Sequence, residues 1–232
     1  MKTDLLCFLF TLGFVTAANA GTITGSVHAE GKAGADEANC APGTYDSRAY
    51  KFAQRVDYGA MHDFVVYIEG DLGTNLPAAP TSPVKIATKK VAQHKAMFSP
   101  HVLPIMKGTV VEWPNDDDIF HNVFSFSEIQ PFDLGLYKGH EAKPVTFNTP
   151  GRVDVFCSIH SSMNCVVLVL ENPYFASTDA KGRYVISSVP AGTYKLKAWH
   201  ERLPSQRKEI IVPEKGEVKM DFTLGIEGLP KL

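Results

Sequence analysis

The sequence has no basic run, and its formal net charge is −2 over 232 residues. A chain that binds nucleic acid through its phosphates needs a positive face, so a nucleic-acid partner is not expected. Beyond the first twenty residues, no stretch approaches the roughly 20 apolar residues that span a bilayer, so no stable membrane insertion is expected. No long stretch shows the 3.6-residue periodicity of an amphipathic helix, which removes the helical bundles. No Ser-His-Asp constellation or paired carboxylates can be discerned, so no enzyme is expected. Cysteine is scarce, with four in the chain. Each one therefore has to be accounted for.

The first twenty residues read as a targeting segment. Lys2 gives a short positive end, Leu5 to Val15 is a compact apolar core, and Ala18-Asn19-Ala20 is a small-residue cleavage site. That is the pattern of a secretory signal peptide, cleaved after Ala20. The competing interpretation is an uncleaved anchor, but the apolar run is short for one. Cys7 falls inside the core, too early for a lipid-anchor cysteine. A periplasmic or secreted location follows. In that oxidising compartment Cys40, Cys157 and Cys165 remain. If Cys157 is a metal thiolate, Cys40 and Cys165 are free to pair.

What the chain does have is short β-type runs rich in Val, Ile, Phe and Tyr, broken by Gly, Pro, Asn and Asp. Thr22 to His28 alternates and Phe64 to Ile68 is a buried strand. Residues 31–60 read as a long loop, and residues 70–83 as a Gly/Pro-rich linker. Thr109 to Trp113, Phe120 to Phe126, Pro144 to Phe147, Arg152 to Cys157 and Val166 to Leu170 are further strands, with Trp113 a core residue. The last sixty residues alternate in a new style, with turns at Ser177 to Gly182 and Val189 to Gly192.

Two strand-like runs flank Cys157-Ser158-Ile159-His160-Ser161-Ser162-Met163, which offers a thiolate, an imidazole and a thioether within seven residues. A C-x-x-H pair alone is weak and equally suits zinc. C-x-x-H-x-x-M between strands is more specific when Phe120-His121-Asn122-Val123 follows a G-x-x-V-x-W strand upstream. Two His, one Cys and a weak axial Met are the donor set of a blue-copper site. The candidate ligands of one copper ion are therefore His121, Cys157, His160 and Met163. His28, His62, His94, His101, His140 and His200 have no partner at a telling spacing and read as surface or turn residues. His101 reaches the loop only if the fold brings it there. The acidic run Asp116-Asp117-Asp118 either steers a basic partner or is a solvated turn.

Gly108 to Phe126 and Val153 to Leu170 resemble the plastocyanin and amicyanin family of cupredoxins, with the short amicyanin-type spacing from Cys to Met. The resemblance covers residues 84–171. It implies a Greek-key β-sandwich with His121, Cys157, His160 and Met163 as ligands. It also implies that Asn122 braces the loop and directs its backbone N–H near the sulfur. Two positions depart from the family. Ile159 stands where the family has Pro, and its N–H could add a hydrogen bond to the thiolate and raise the potential. Cys165 is a competing soft ligand just behind Met163.

Tyr174 to Leu224 resembles a carboxypeptidase regulatory-like, or transthyretin-like, β-sandwich. The resemblance rests on Ser177-Thr178-Asp179-Ala180-Lys181-Gly182-Arg183-Tyr184 and on Val189-Pro190-Ala191-Gly192-Thr193-Tyr194. The stretch is short for a complete sandwich, and Thr22 to His28 and Phe64 to Ile68 are the expected missing strands. The expected organisation is a signal peptide at 1–20, contributed strands at 21–83, a cupredoxin at 84–171 and a second small sandwich at 172–232. Chains with this combined pattern are similar to methylamine-utilisation-type secreted copper proteins. The expected function is one-electron transfer to an unidentified redox protein. The alternatives are copper storage or delivery, or a non-redox binding module. Cys157 is flanked by Phe156 and Ser158, not by the histidines a multicopper oxidase needs.

Overall fold

The computed structural model of the chain describes residues 20–30, 57–72 and 87–225. The apolar and alternating runs become strands β1 (Ala20–Ala29), β2 (Val65–Ile68), β3 (Thr88–Lys90), β4 (Ala92–His94), β5 (Met97–Ser99) and β6 (Val102–Met106). There follow β7 (Thr109–Pro114), β8 (His121–Ser125), β9 (Phe132–Tyr137), β10 (Ala142–Phe147), β11 (Gly151–Phe156) and β12 (Asn164–Leu170). The chain continues with β13 (Phe175–Ser177), β14 (Arg183–Pro190), β15 (Gly192–His200), β16 (Leu203–Val212), β17 (Glu217–Lys219) and β18 (Phe222–Leu224). A 3-10 turn at Tyr58–Ala60 is the only helical element among the described residues. None of them forms a helix long and apolar enough to cross a membrane. The class is all-β, as the alternation and turn chemistry imply.

Two β-sandwiches result. In the first, the sheet β10-β7-β3 faces the sheet β6-β12-β11-β8-β9 across a core that includes Trp113, Phe147, Val153, Val155, Val167 and Val169. In the second, β1 lies antiparallel to β14 and parallel to β17 and β18. The sheet β13-β2-β15-β16 faces it, and Ile23, Phe64, Ile186, Leu196 and Phe222 share the core between them. Residues 20–29 and 65–68 thus sit with the C-terminal strands. Each large side chain sealed in these cores contributes about 1.5–3 kcal/mol against exposure.

Strand β12 explains the unbroken apolar run at its centre. A strand with one wet face alternates, yet Cys165 to Leu170 are all buried. Cys165, Val167 and Val169 point into the first core. Val166, Leu168 and Leu170 enter a separate cluster with Val65 and Val102, packed against Tyr67, Phe175 and Trp199. That cluster is the seam between the sandwiches. Trp199 is therefore packed rather than displayed, and His200 is buried, which corrects its assignment to the surface.

Three further local features complete the fold. Phe132–Tyr137 is a strand, β9, although Gly135 interrupts its pattern. The run from Met97 to Met106 divides into β5 and β6 around Ser99-Pro100. Cys165 is a free thiol in the core, so it makes no disulfide; Cys40 lies outside the described residues. At the turn after β13, Asp179 Oδ1 accepts the Lys181 and Arg183 N–H groups. Gly182 takes φ +75°, and a Cβ there would fall 2.3 Å from Val27 O. Only glycine meets both demands.

Candidate metal centre

His121 opens β8 and is fully buried. Its Nε2 lies 2.8 Å from Asp117 Oδ2. A carboxylate only accepts, so Nε2 carries the hydrogen and Nδ1 keeps its lone pair. That Nδ1 lies 3.0 Å from His160 Nδ1.

Asp117 is itself clamped. The Lys95 N–H donates to Oδ1 at 2.7 Å and the Ala96 N–H to Oδ2 at 2.9 Å. Both donors sit in the β4–β5 turn with positive φ, 54° at Lys95 and 53° at Ala96. Non-glycine residues hold that conformation at a cost, and here it aims two N–H groups at one carboxylate. The side chain of Asp117 is 13% exposed. Burial pushes its pKa up, but the bonds from the Ala96 N–H, His121 and the Lys95 N–H outweigh it and bring the carboxyl down to about 2. Asn115 shapes the loop by donating to Ile119 O and Tyr137 O and accepting the Asp117 N–H. Asp117 is thus no solvated turn residue. The hairpin that covers it is distant in sequence, so no local pattern announces the contact.

Cys157 follows β11 and is buried. Its Sγ accepts the Asn122 N–H at 3.5 Å and lies 3.8 Å from His160 Nδ1. The Cys157 N–H donates to Met163 O at 3.1 Å, and the Met163 N–H to His160 O at 2.9 Å, so the loop closes on itself. Asn122 Oδ1 accepts the Ser158 N–H, and its Nδ2 donates to Asp133. The hydrogen bond to Sγ comes from Asn122; the Ile159 N–H makes none, and the Ile159 side chain is 50% exposed. The potential-raising bond expected from Ile159 is therefore absent.

One ligand atom each from His121, Cys157 and His160 lies within 4.8 Å of the others. Metal bonds of about 2.0 Å to nitrogen and 2.3 Å to sulfur allow donors of one ion to stand up to roughly 4.3 Å apart; the His121–His160 and Cys157–His160 separations of 3.0 and 3.8 Å fall inside that, and the third pair lies within 4.8 Å. The donor set therefore fits a soft ion such as copper. Met163 is buried in the same core cluster as Cys157. Cys165 stands outside the group, opposite Val155 on β11, and burial pushes its thiol well up. His160 is half-buried, and Ile119, Phe120 and Ile159, its neighbours and those of His121 in the chain, are exposed.

The other histidines distribute differently. His94 Nδ1 lies 3.8 Å from Asp117 Oδ1. His101 does reach the end of the loop, 3.2 Å from Asn164 O. His62 pairs with Asp63. His28, His62, His140 and His200 are not part of the His-Cys-His group.

No protein-family model matches the chain, and no curated protein matches it. Among solved structures it is similar to an oxidized methionine-to-leucine mutant of amicyanin, at 24% identity over 35% of this chain and 80% of that one, with a TM-score of 0.34. It is also similar to a novel purple cupredoxin from Nitrosopumilus maritimus, at 27% identity over 36% of this chain and 98% of that one, TM-score 0.32. A copper-containing nitrite reductase from Thermus scotoductus SA-01 is 26% identical over 45% of this chain; the match spans 28% of the reductase, TM-score 0.37.

Proposed function

We propose that the chain is an extracytoplasmic type 1 copper protein of the cupredoxin kind, carrying one electron at a time between partner proteins. The observation that carries this reading is the convergence of His121, Cys157 and His160 at one end of a sandwich. Met163 is the fourth, weak ligand. Copper bound there supplies a reversible one-electron couple.

The chain's own residues do the rest. Asp117 and the Asn122 N–H fix an imidazole and the Cys157 sulfur before any metal arrives, so little rearranges when the charge changes. The core around Cys157 excludes water. Half-buried His160 is the route to the surface, and the exposed Phe120 and Ile159 offer an apolar landing for a redox protein. The residues beside Cys157, Phe156 and Ser158, supply no imidazole for a second metal, which favours a carrier over a catalyst. For the second sandwich we propose a carboxypeptidase regulatory-like identity, supported by the Asp179–Gly182 turn.

Cyclic voltammetry of the copper-loaded chain tests the function. The expected result is a reversible one-electron wave, with a visible band bleached by ascorbate and restored by ferricyanide. A colourless protein that takes copper without a reversible wave would favour storage or delivery.

A further inference from the structure

His101, just before β6, touches both sandwiches. Its Nδ1 lies 3.2 Å from Asn164 O, the residue that follows Met163. Its Nε2 lies 3.0 Å from Glu201 Oε1, in the β15–β16 turn of the second sandwich. Both partners, a backbone carbonyl and a carboxylate, are hydrogen-bond acceptors. Its own carbonyl accepts the Val166 N–H at 2.8 Å. Residue 101 therefore grips the chain on both sides of Cys165.

Glu201 is held in turn. Arg152 on β11 donates from Nη1 to Glu201 O at 3.0 Å, binds Asp154 through Nε and Nη2, and lies 5.9 Å over the Trp199 ring. Trp199 belongs to the apolar seam. The Glu201 side chain is 19% exposed and that of His101 35%, so water screens the pair only in part. The two line a cleft of about 410 Å³ with His62 and His200.

We propose that His101 and Glu201 are positioning residues through which the second sandwich holds the C-terminal end of the ligand loop, a role that rests on the copper assignment above. The Met163 carbonyl closes the loop on the Cys157 N–H, and the anchored Asn164 is next in the chain. A shift at Asn164 therefore reaches both the thioether and the backbone that seats the thiolate. The second sandwich then belongs to the metal site rather than hanging beside it.

Amide hydrogen exchange on the metal-free full-length chain tests the bridge without needing copper. Losing a charge-assisted hydrogen bond should speed exchange of the Met163 and Val166 N–H groups about tenfold in Glu201→Ala. Glu201→Gln, which keeps an acceptor oxygen, should recover most of the protection. Amides of β1 and β14 should not change in either variant. In the copper-loaded chain, Glu201→Ala should shift the reduction potential and the ratio of the visible bands, and Glu201→Gln should do so less. Unchanged Met163 and Val166 exchange in Glu201→Ala would overturn the proposal, as would equal acceleration at every amide. A parent protein with no copper band would remove the copper assignment and leave the exchange result standing.

Discussion

Gln93, Thr109, Asn115, His121, Asn122 and Ser125 are buried in the sandwich that gathers the ligand side chains, while the second sandwich buries Asn172 and His200. Burying a polar group is costly unless it is hydrogen-bonded, so the partners these side chains find show what holds them. In the second sandwich the reason is local. Asn172 donates to Ile68 O and Gly70 O and accepts the Tyr174 N–H, which joins β2 to the chain entering β13. Burial lowers the pKa of His200, and its Nδ1 accepts the Arg202 N–H. In the first sandwich the same currency orients a site. Asn115 shapes the loop that carries Asp117, and Asn122 reaches both the thiolate and the loop behind it. Both sandwiches use buried polar groups to close strands and turns, as Gln93 and Thr109 do in the first, but only the first also uses them, through Asn115 and Asn122, to aim ligands.

The strongest way to disturb that comparison is to loosen the seam. Leu168→Ala removes a buried side chain shared by the two halves and should cost about 2–5 kcal/mol. Calorimetry of the metal-free chain should then resolve two transitions where the parent shows one. A single transition merely moved to lower temperature would mean that the seam is not what couples the halves.

Asp117→Asn is the next largest. It removes the negative charge that fixes the His121 tautomer, and copper(II) affinity in a competition titration should fall about 10- to 100-fold. Unchanged affinity would reduce Asp117 to a loop residue.

The smallest effect separates two carboxylates that both titrate near 2 for different reasons. Asp117 owes it to backbone N–H groups and His121 working against burial. Exposed Asp179 owes it first to the Arg183 side chain, then to the Arg183 N–H. Arg183→Gln should raise Asp179 toward its ordinary value of 3.8, read by NMR titration, and leave Asp117 in place. The sign follows from the lowered pKa: the stabilisation by Asp179 is complete above about pH 4 and fades as the pH falls toward 2. Because the side chain is exposed, the melting temperature should barely respond. An Asp179 that stays near 2 without Arg183 would place its cause in the turn alone.

The sequence made the strands and the Cys-to-Met loop visible, because both are written in neighbouring residues. The unbroken Val166 to Leu170 run marked a strand, but not that it is buried on both faces or that its second face meets another sandwich. Asp117 resembled any solvated acidic turn, since the N–H groups that hold it come from the β4–β5 hairpin more than twenty residues away. His101 had no ligand-like spacing, since its partners lie at Asn164 and Glu201. Strand β9 was hidden because Gly135 is a poor strand former, and past it the buried position moves from the alternating Leu136 to Tyr137. What stayed hidden depends on long-range pairing, and much of the support around the site is of that kind.

The most direct test is a copper(II) titration of the mature chain followed by visible absorption, run beside Cys157→Ser. The account predicts an intense thiolate-to-copper band that saturates at one equivalent in the parent and is missing in the variant. The same spectrum in both proteins, or no band in either, would contradict a copper site built on Cys157.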